Sequence, residues 1–235
     1  MQILAALRAA MSLVIGLAIL LLVPAGLVPG GTWQWPRAWI FIAVAGALVL
    51  ASTVAIAIWR PASFAVRQKP VVAEREKKQP LVDRIGVPIY LAYVLAWLAF
   101  IPADVFYLQL LPPPGPIAVT AGVVMTLLGI ALGQLAVAEN QFAAPTIHDQ
   151  SAENQRVVDT GVYAVVRHPI YTGNLLMFIG MALWLGSYAA VIGVSAMFVA
   201  TLARTFIEER WLRDNLTGYE DYARRVRSRL IPFLV

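Results

Sequence analysis

From residue 4 to residue 28 the chain carries a single charged side chain, Arg8. Residues 39–58 and 117–138 carry none, residues 85–110 carry only Asp104, and residues 174–206 carry only Arg204. A helix needs about 20 mostly apolar residues to cross a bilayer, so these runs constrain the chain to an all-α integral membrane protein. The third run is broken by Pro88 and Pro102. The last is too long for one helix, and Gly186-Ser187-Tyr188 offers a turn in its middle, so it divides into two shorter or tilted helices forming a hairpin. The count is about six transmembrane helices. Four fall in an N-terminal region, 1–138, and the hairpin falls in a second region, 139–235, with a polar loop before it and a tail after it. The first run exceeds a typical signal-peptide core, and no Ala-x-Ala-like site follows it.

Composition supports this class: 60% of residues are hydrophobic and 13% charged, with a mean hydropathy of +0.74, where soluble domains run near a quarter charged. The absence of cysteine excludes disulfides, thiolate metal sites and cysteine nucleophiles. Two histidines, His148 and His168, cannot alone build a histidine-rich metal site, and no metal is expected.

The positive charges orient the chain. With six spans, 17 of the 18 Lys+Arg fall on one side, and only Arg37 falls on the other. The positive-inside bias makes the crowded side cytoplasmic, with both termini there, as in a bacterial inner membrane. The net charge of +5 then reflects topology and attraction to anionic lipid rather than nucleic-acid binding. The opposite face holds short, stiff turns rich in proline and glycine. Asp104 lies there, is expected to meet water and is given no role. Trp33, Trp35 and Trp39 suit an interfacial belt.

The polar chemistry therefore lies on the cytoplasmic side. The basic loop at 60–84 reads as a membrane-surface charge run. The segment 139–173 holds Asn140-Gln141-Phe142, His148, Arg156-Val157-Val158, the turn signal Asp159-Thr160-Gly161, and then Arg167-His168-Pro169-Ile170-Tyr171-Thr172-Gly173. Pro169 fixes the chain's entry to a helix, and Gly173 lets a ligand or another backbone come close. The tail opens with Arg204 and Glu208-Glu209-Arg210. It continues with Leu212, Leu216, Tyr219 and Tyr222 on a helical period, which reads as a basic amphipathic helix on the bilayer. The paired glutamates resist that reading, because acidic groups at an anionic surface need partners. If the last two spans form a hairpin, the 167–173 segment and Glu208-Glu209 meet at one mouth, a site suited to an elongated ligand carrying both signs of charge.

The pattern Gly161-x-Tyr163-x-x-x-Arg167-His168-Pro169-x-Tyr171-x-Gly173 resembles the signature of isoprenylcysteine carboxyl methyltransferases. The tail, with Glu208-Glu209-Arg210-x-Leu212, Tyr219-x-x-Tyr222 and Leu230-Ile231-Pro232, is similar to that family's C-terminus, and related phospholipid N-methyltransferases share the paired glutamates. The resemblance covers about residues 139–233. It implies S-adenosyl-L-methionine as methyl donor in a pocket open to the cytoplasm. It also implies a lipophilic small-molecule or lipid-anchored acceptor that arrives from the surrounding membrane lipids. Carried over residue by residue, Gly161, Tyr163, Arg167, His168, Pro169, Tyr171, Gly173, Glu208 and Glu209 contact the cofactor. By chemistry, Arg167 or Arg204 is the candidate to hold a carboxylate acceptor, and Glu208 or His168 the candidate base for an amine acceptor.

Each residue also has a plainer reading. His168 can anchor its loop, Arg167 can snorkel, Tyr171 can be a belt residue, and Glu208 can pair with Arg204 one turn away. His148 reads as a loop histidine, and Gly129-x-x-x-Gly133 as a helix-packing face. Two other functions stay open. Sterol reductases carry a similar Arg-His-Pro-x-Tyr-x-Gly segment, with an Asp where Asn174 stands here, and bind NADPH. A non-catalytic membrane protein, such as a small transporter, is the other, although transporters tend to place ionisable groups at mid-bilayer.

Overall fold

The computed structural model describes residues 2–68, 81–143 and 155–232, and for 66–68 and 81–83 the backbone alone. His148 and most of the basic loop lie outside the described residues. The fold is all-helical, at 79% helix. Its helices are α1 (Gln2–Leu27), α2 (Pro36–Trp59), α3 (Pro61–Gln68), α4 (Leu81–Ala103), α5 (Pro116–Glu139), α6 (Pro169–Leu185), α7 (Tyr188–Asn215) and α8 (Tyr219–Arg225). A π-helical turn (Asp104–Leu108) extends α4, and a 3-10 turn (Gly161–Ala164) precedes α6.

Five helices are long and apolar enough to cross a membrane; α6, at 17 residues, is shorter. The six expected spans therefore appear as five of full length and one short apolar helix. The physical reason lies in the hairpin. Gly186 closes α6 in the left-handed region (φ 105°), a conformation that favours glycine. Ser187 caps α7 by accepting the Ala190 N–H at 2.9 Å. The turn falls where expected, but its arms are unequal. At 1.5 Å per residue, α6 spans about 26 Å and the 28-residue α7 about 42 Å. The hydrocarbon core is about 30 Å thick, so α7 outreaches it and carries Arg204, Glu208 and Glu209 on its last turns.

The tightest packing joins α5 to α6, where glycines let backbone touch backbone. An added Cβ at Gly129 would lie 2.5 Å from the Met177 nitrogen, and one at Gly173 would lie 2.7 Å from the Gly129 carbonyl. Gly122 and Gly180 form a matching contact one heptad away. The core continues through Phe41 against Trp184 and Trp97 against Phe178, both edge-to-face. On the half away from the motif, α4 is tied to α7 by Trp97 Nε1 donating to Ala190 O and Tyr93 OH donating to Gly193 O, each at 2.8 Å.

Asp104 departs from expectation. It is 3% exposed, accepts the Ser187 hydroxyl at 2.6 Å and accepts the Leu110 N–H at 3.0 Å. It anchors the π-helical turn to the α6–α7 hairpin, because the turn folds it inward rather than toward water. Asp104→Ala leaves buried donors unmatched, at a cost of about 1–3 kcal/mol. The expected result is a lower melting temperature in detergent with ligand binding at the far end of the bundle unchanged.

The tail also departs from expectation. A single amphipathic helix does not run through it. The end of α7 is capped at Leu216, Gly218 takes φ +86°, and α8 starts in a new direction. Tyr219, Tyr222, Val226 and Leu230 are buried, so this apolar face packs on protein rather than on lipid.

Candidate functional site

Pro169 sets the site's frame. It stands at the first position of α6, where its missing N–H costs no helical bond, and it is fully buried. The two residues before it lock to the tail as a short ladder. The Arg167 and His168 backbone N–H groups donate to the Ser228 and Arg229 carbonyls, each at 3.0 Å. Thr172 Oγ1 donates to the Leu230 carbonyl at 2.5 Å. Arg167 is 6% exposed. Its Nη1 donates to the Val226 and Arg227 carbonyls at 2.5 and 2.9 Å, and its Nε donates to Glu209 Oε1 at 2.7 Å.

Glu209, at 1% exposure, is the hub. Its Oε1 also meets His168 Nε2 at 3.3 Å, and its Oε2 accepts from Arg229 Nε at 3.2 Å and Arg213 Nη2 at 3.5 Å. A buried carboxylate needs such partners. The cluster binds α6, α7 and the tail into one unit.

Glu208 does something different. Its Oε2 accepts the Tyr171 hydroxyl at 2.6 Å, and the same hydroxyl accepts from Arg204 Nε at 2.9 Å. The Tyr171 ring stacks on His168 with an interplanar angle of 6° and centroids 5.5 Å apart. Tyr163, at the 3-10 turn, takes the Tyr222 hydroxyl on its carbonyl at 2.8 Å.

These groups border a cavity of about 450 Å³, within the range that holds drug-sized ligands. Of the residues expected in the site, Tyr163, Arg167, His168, Pro169, Tyr171, Arg204 and Glu208 line it. Gly161, Gly173 and Glu209 do not. Gly161 is a turn residue at φ +56° whose missing Cβ leaves room for the Glu139 carboxylate, and that carboxylate accepts the Val162 N–H at 3.0 Å. Gly173 faces α5, so the backbone it admits is a helix's and not a ligand's.

The remaining wall was not foreseen. Gly86, Val87 and Tyr90 of α4 close one side, together with Ala200, Thr201 and Ala203 of α7. Gly86, Ala200 and Ala203 are exposed, so small residues of two membrane-length helices border this side of the cavity. Asn140, Phe142, Arg156 and Asn174 add polar and aromatic lining. Tyr219 also lines the cavity. Its hydroxyl is buried and has no hydrogen-bond partner among the described residues. Burial raises the pKa of both Tyr219 and Tyr222 far above the ordinary tyrosine range, so both stay protonated donors at any physiological pH.

Residues 117–217 match the family model for phospholipid methyltransferases. The match begins at the second residue of α5 and ends just past α7, so it takes in the glycine-packed pair and both glutamates. That family is related to the isoprenylcysteine carboxyl methyltransferases, in line with the resemblance carried by the motif. No curated protein matches the chain. The match supports a membrane methyltransferase, and with it methyl transfer over the reductase and transporter readings.

Proposed function

We propose that this chain transfers a methyl group from S-adenosylmethionine to a lipophilic acceptor at the cytoplasmic face of a bacterial inner membrane. One observation carries the reading. A single cavity joins a polar wall, built from the Arg-His-Pro-x-Tyr motif and Glu208, to a wall of small and apolar residues from the membrane-length helices α4 and α7. A water-soluble, charged ligand and a lipid-borne one can therefore share one chamber.

The residues present fit the cofactor. Glu208 offers a carboxylate to an ammonium or sulfonium group, the His168–Tyr171 stack offers flat apolar surface, and Tyr219 offers a hydroxyl with no partner among the described residues. S-adenosylmethionine, when bound, supplies a methyl carbon made electrophilic by positive sulfur. The chain's task is then alignment, which contributes up to about 7–11 kcal/mol in well-oriented cases. Tyr171 fixes the Glu208 carboxylate, and Arg204 fixes Tyr171. The tail ladder holds the motif against the cavity, and the helices keep water from one side.

For a carboxylate acceptor, Arg204 is the better-placed cation, because Arg167 already engages Glu209 and the tail carbonyls. For an amine acceptor, Glu208 is the better-placed base, because His168 Nε2 already faces Glu209.

Calorimetry in detergent tests the reading. Wild type is expected to bind S-adenosylmethionine, and Glu208→Gln to bind it at least about tenfold more weakly, the effect of losing a hydrogen bond to a charged group. Absence of binding to wild type sinks the cofactor assignment, as does tight binding of NADPH in its place. Unchanged affinity in Glu208→Gln removes that residue from the site.

A further inference from the structure

Two tyrosines on one turn of α8 face different fates. Tyr222 donates to the Tyr163 carbonyl at 2.8 Å. Tyr219, with its ring edge-on to Tyr222 at 5.7 Å, is 4% exposed and has a hydroxyl with no partner among the described residues. Buried polar groups are nearly always paired, and an exception calls for an explanation such as strain, catalysis or a bound partner. Packing alone does not require the hydroxyl, since phenylalanine has the same ring. The cavity lies against this side chain.

We propose that Tyr219 is a ligand-binding residue, whose hydroxyl donates to an acceptor oxygen of the molecule held in the cavity. This rests on the reading of that cavity as the cofactor chamber. The consequence is a site that recognises its ligand from two directions. Glu208 on α7 takes the positive end, and Tyr219 on α8 requires a hydrogen-bond acceptor elsewhere on the same molecule. A molecule with only apolar surface there leaves the hydroxyl unsatisfied, and one with only donors leaves its proton without an acceptor. Because the segment after α8 is laddered to Arg167 and His168, the ligand also gains a direct contact with the tail.

The sign of a mutation separates this role from a structural one. Tyr219→Phe removes a buried donor that has no partner among the described residues, so the melting temperature of the ligand-free protein is expected to hold or rise. Its affinity for S-adenosylmethionine, by calorimetry, is expected to fall about threefold to tenfold, the worth of one neutral hydrogen bond. Tyr222→Phe strips a buried carbonyl of its donor and is expected to melt lower. A fall in the melting temperature of ligand-free Tyr219→Phe would overturn the proposal, and so would wild-type affinity in that variant. If wild type binds no S-adenosylmethionine, the cofactor reading fails by itself. The ligand-free melting temperatures of the two variants then still decide whether Tyr219 is an open donor.

Discussion

Glu209→Ala is expected to be the most destabilising single change in the cytoplasmic half of the proposed enzyme. Removing one partner of a buried ion pair costs about 3–5 kcal/mol, because the other charge stays behind uncompensated. Here Arg167, itself 6% exposed, is the charge left behind, and Arg229 loses its contact as well. In a chain of this size that corresponds to a fall in melting temperature on the order of 10 °C. The adjacent variant Glu208→Gln is expected to melt near wild type while losing ligand affinity. The pair splits stability from binding at neighbouring positions. A double change, Arg167→Met with Glu209→Ala, removes both buried charges and is expected to recover part of the loss. Recovery stays incomplete because Arg167 also serves the Val226 and Arg227 carbonyls. Thermal unfolding in detergent reads all three, and Glu209→Ala melting with wild type would show that the cluster holds nothing together.

The two glutamates also mark how far the amino-acid order could be read. Residue types and spacing placed 167–173 and 208–209 at one mouth, and the hairpin turn at Gly186-Ser187 brought them together. Neighbouring helical residues point about 100° apart, so at most one of the pair can sit at the centre of the inward face. Which one depends on how α7 rotates against α6, and that is set by distant packing. The same reason hid the split between glycines. Gly161 and Gly173 match a binding motif by spacing, yet one shapes a turn and the other meets α5. Asp104 and Tyr219 were misjudged or passed over because burial comes from tertiary structure. The break at Gly218 was missed although the sequence signals it, since a glycine after Thr217 is a helix-stop signal and the tail was read as one helix. The wall supplied by Gly86, Val87 and Tyr90 carried no sequence signal, because small and apolar residues in a membrane helix look alike whether they face lipid or a cavity. The boundary drawn at 138/139 separates α5 from α6, the helices whose backbones touch most closely.

That contact makes the second large prediction. Gly129 and Gly133 form one small-xxx-small motif, yet they are expected to respond oppositely to alanine. A Cβ at Gly129 would lie 2.5 Å from the Met177 nitrogen and 2.6 Å from the Gly173 carbonyl. Both obstacles are backbone, which can yield only by moving a helix. Overpacking usually costs about 1–3 kcal/mol, and Gly129→Ala is expected at the top of that range, with Gly129→Val beyond it. A Cβ at Gly133 meets nothing within 4 Å, so Gly133→Ala is expected to hold or gain stability through helix propensity, worth up to about 1 kcal/mol. The damage at Gly129 reaches the site by a short path. Gly173 sits two residues past Tyr171 on α6, and pushing α6 off α5 shifts the Tyr171–Glu208 and Arg167–Glu209 contacts together. Gly129→Ala is therefore expected to weaken ligand binding although it touches no cavity atom, and Gly133→Ala to leave it intact. Gly129→Ala combined with Gly173→Ala is expected to cost less than the sum of the two, because both force apart the same close approach. Equal melting temperatures for Gly129→Ala and Gly133→Ala would mean that the α5–α6 backbone contact does not hold the motif in place, and the site would then have to be supported from α7 and the tail alone.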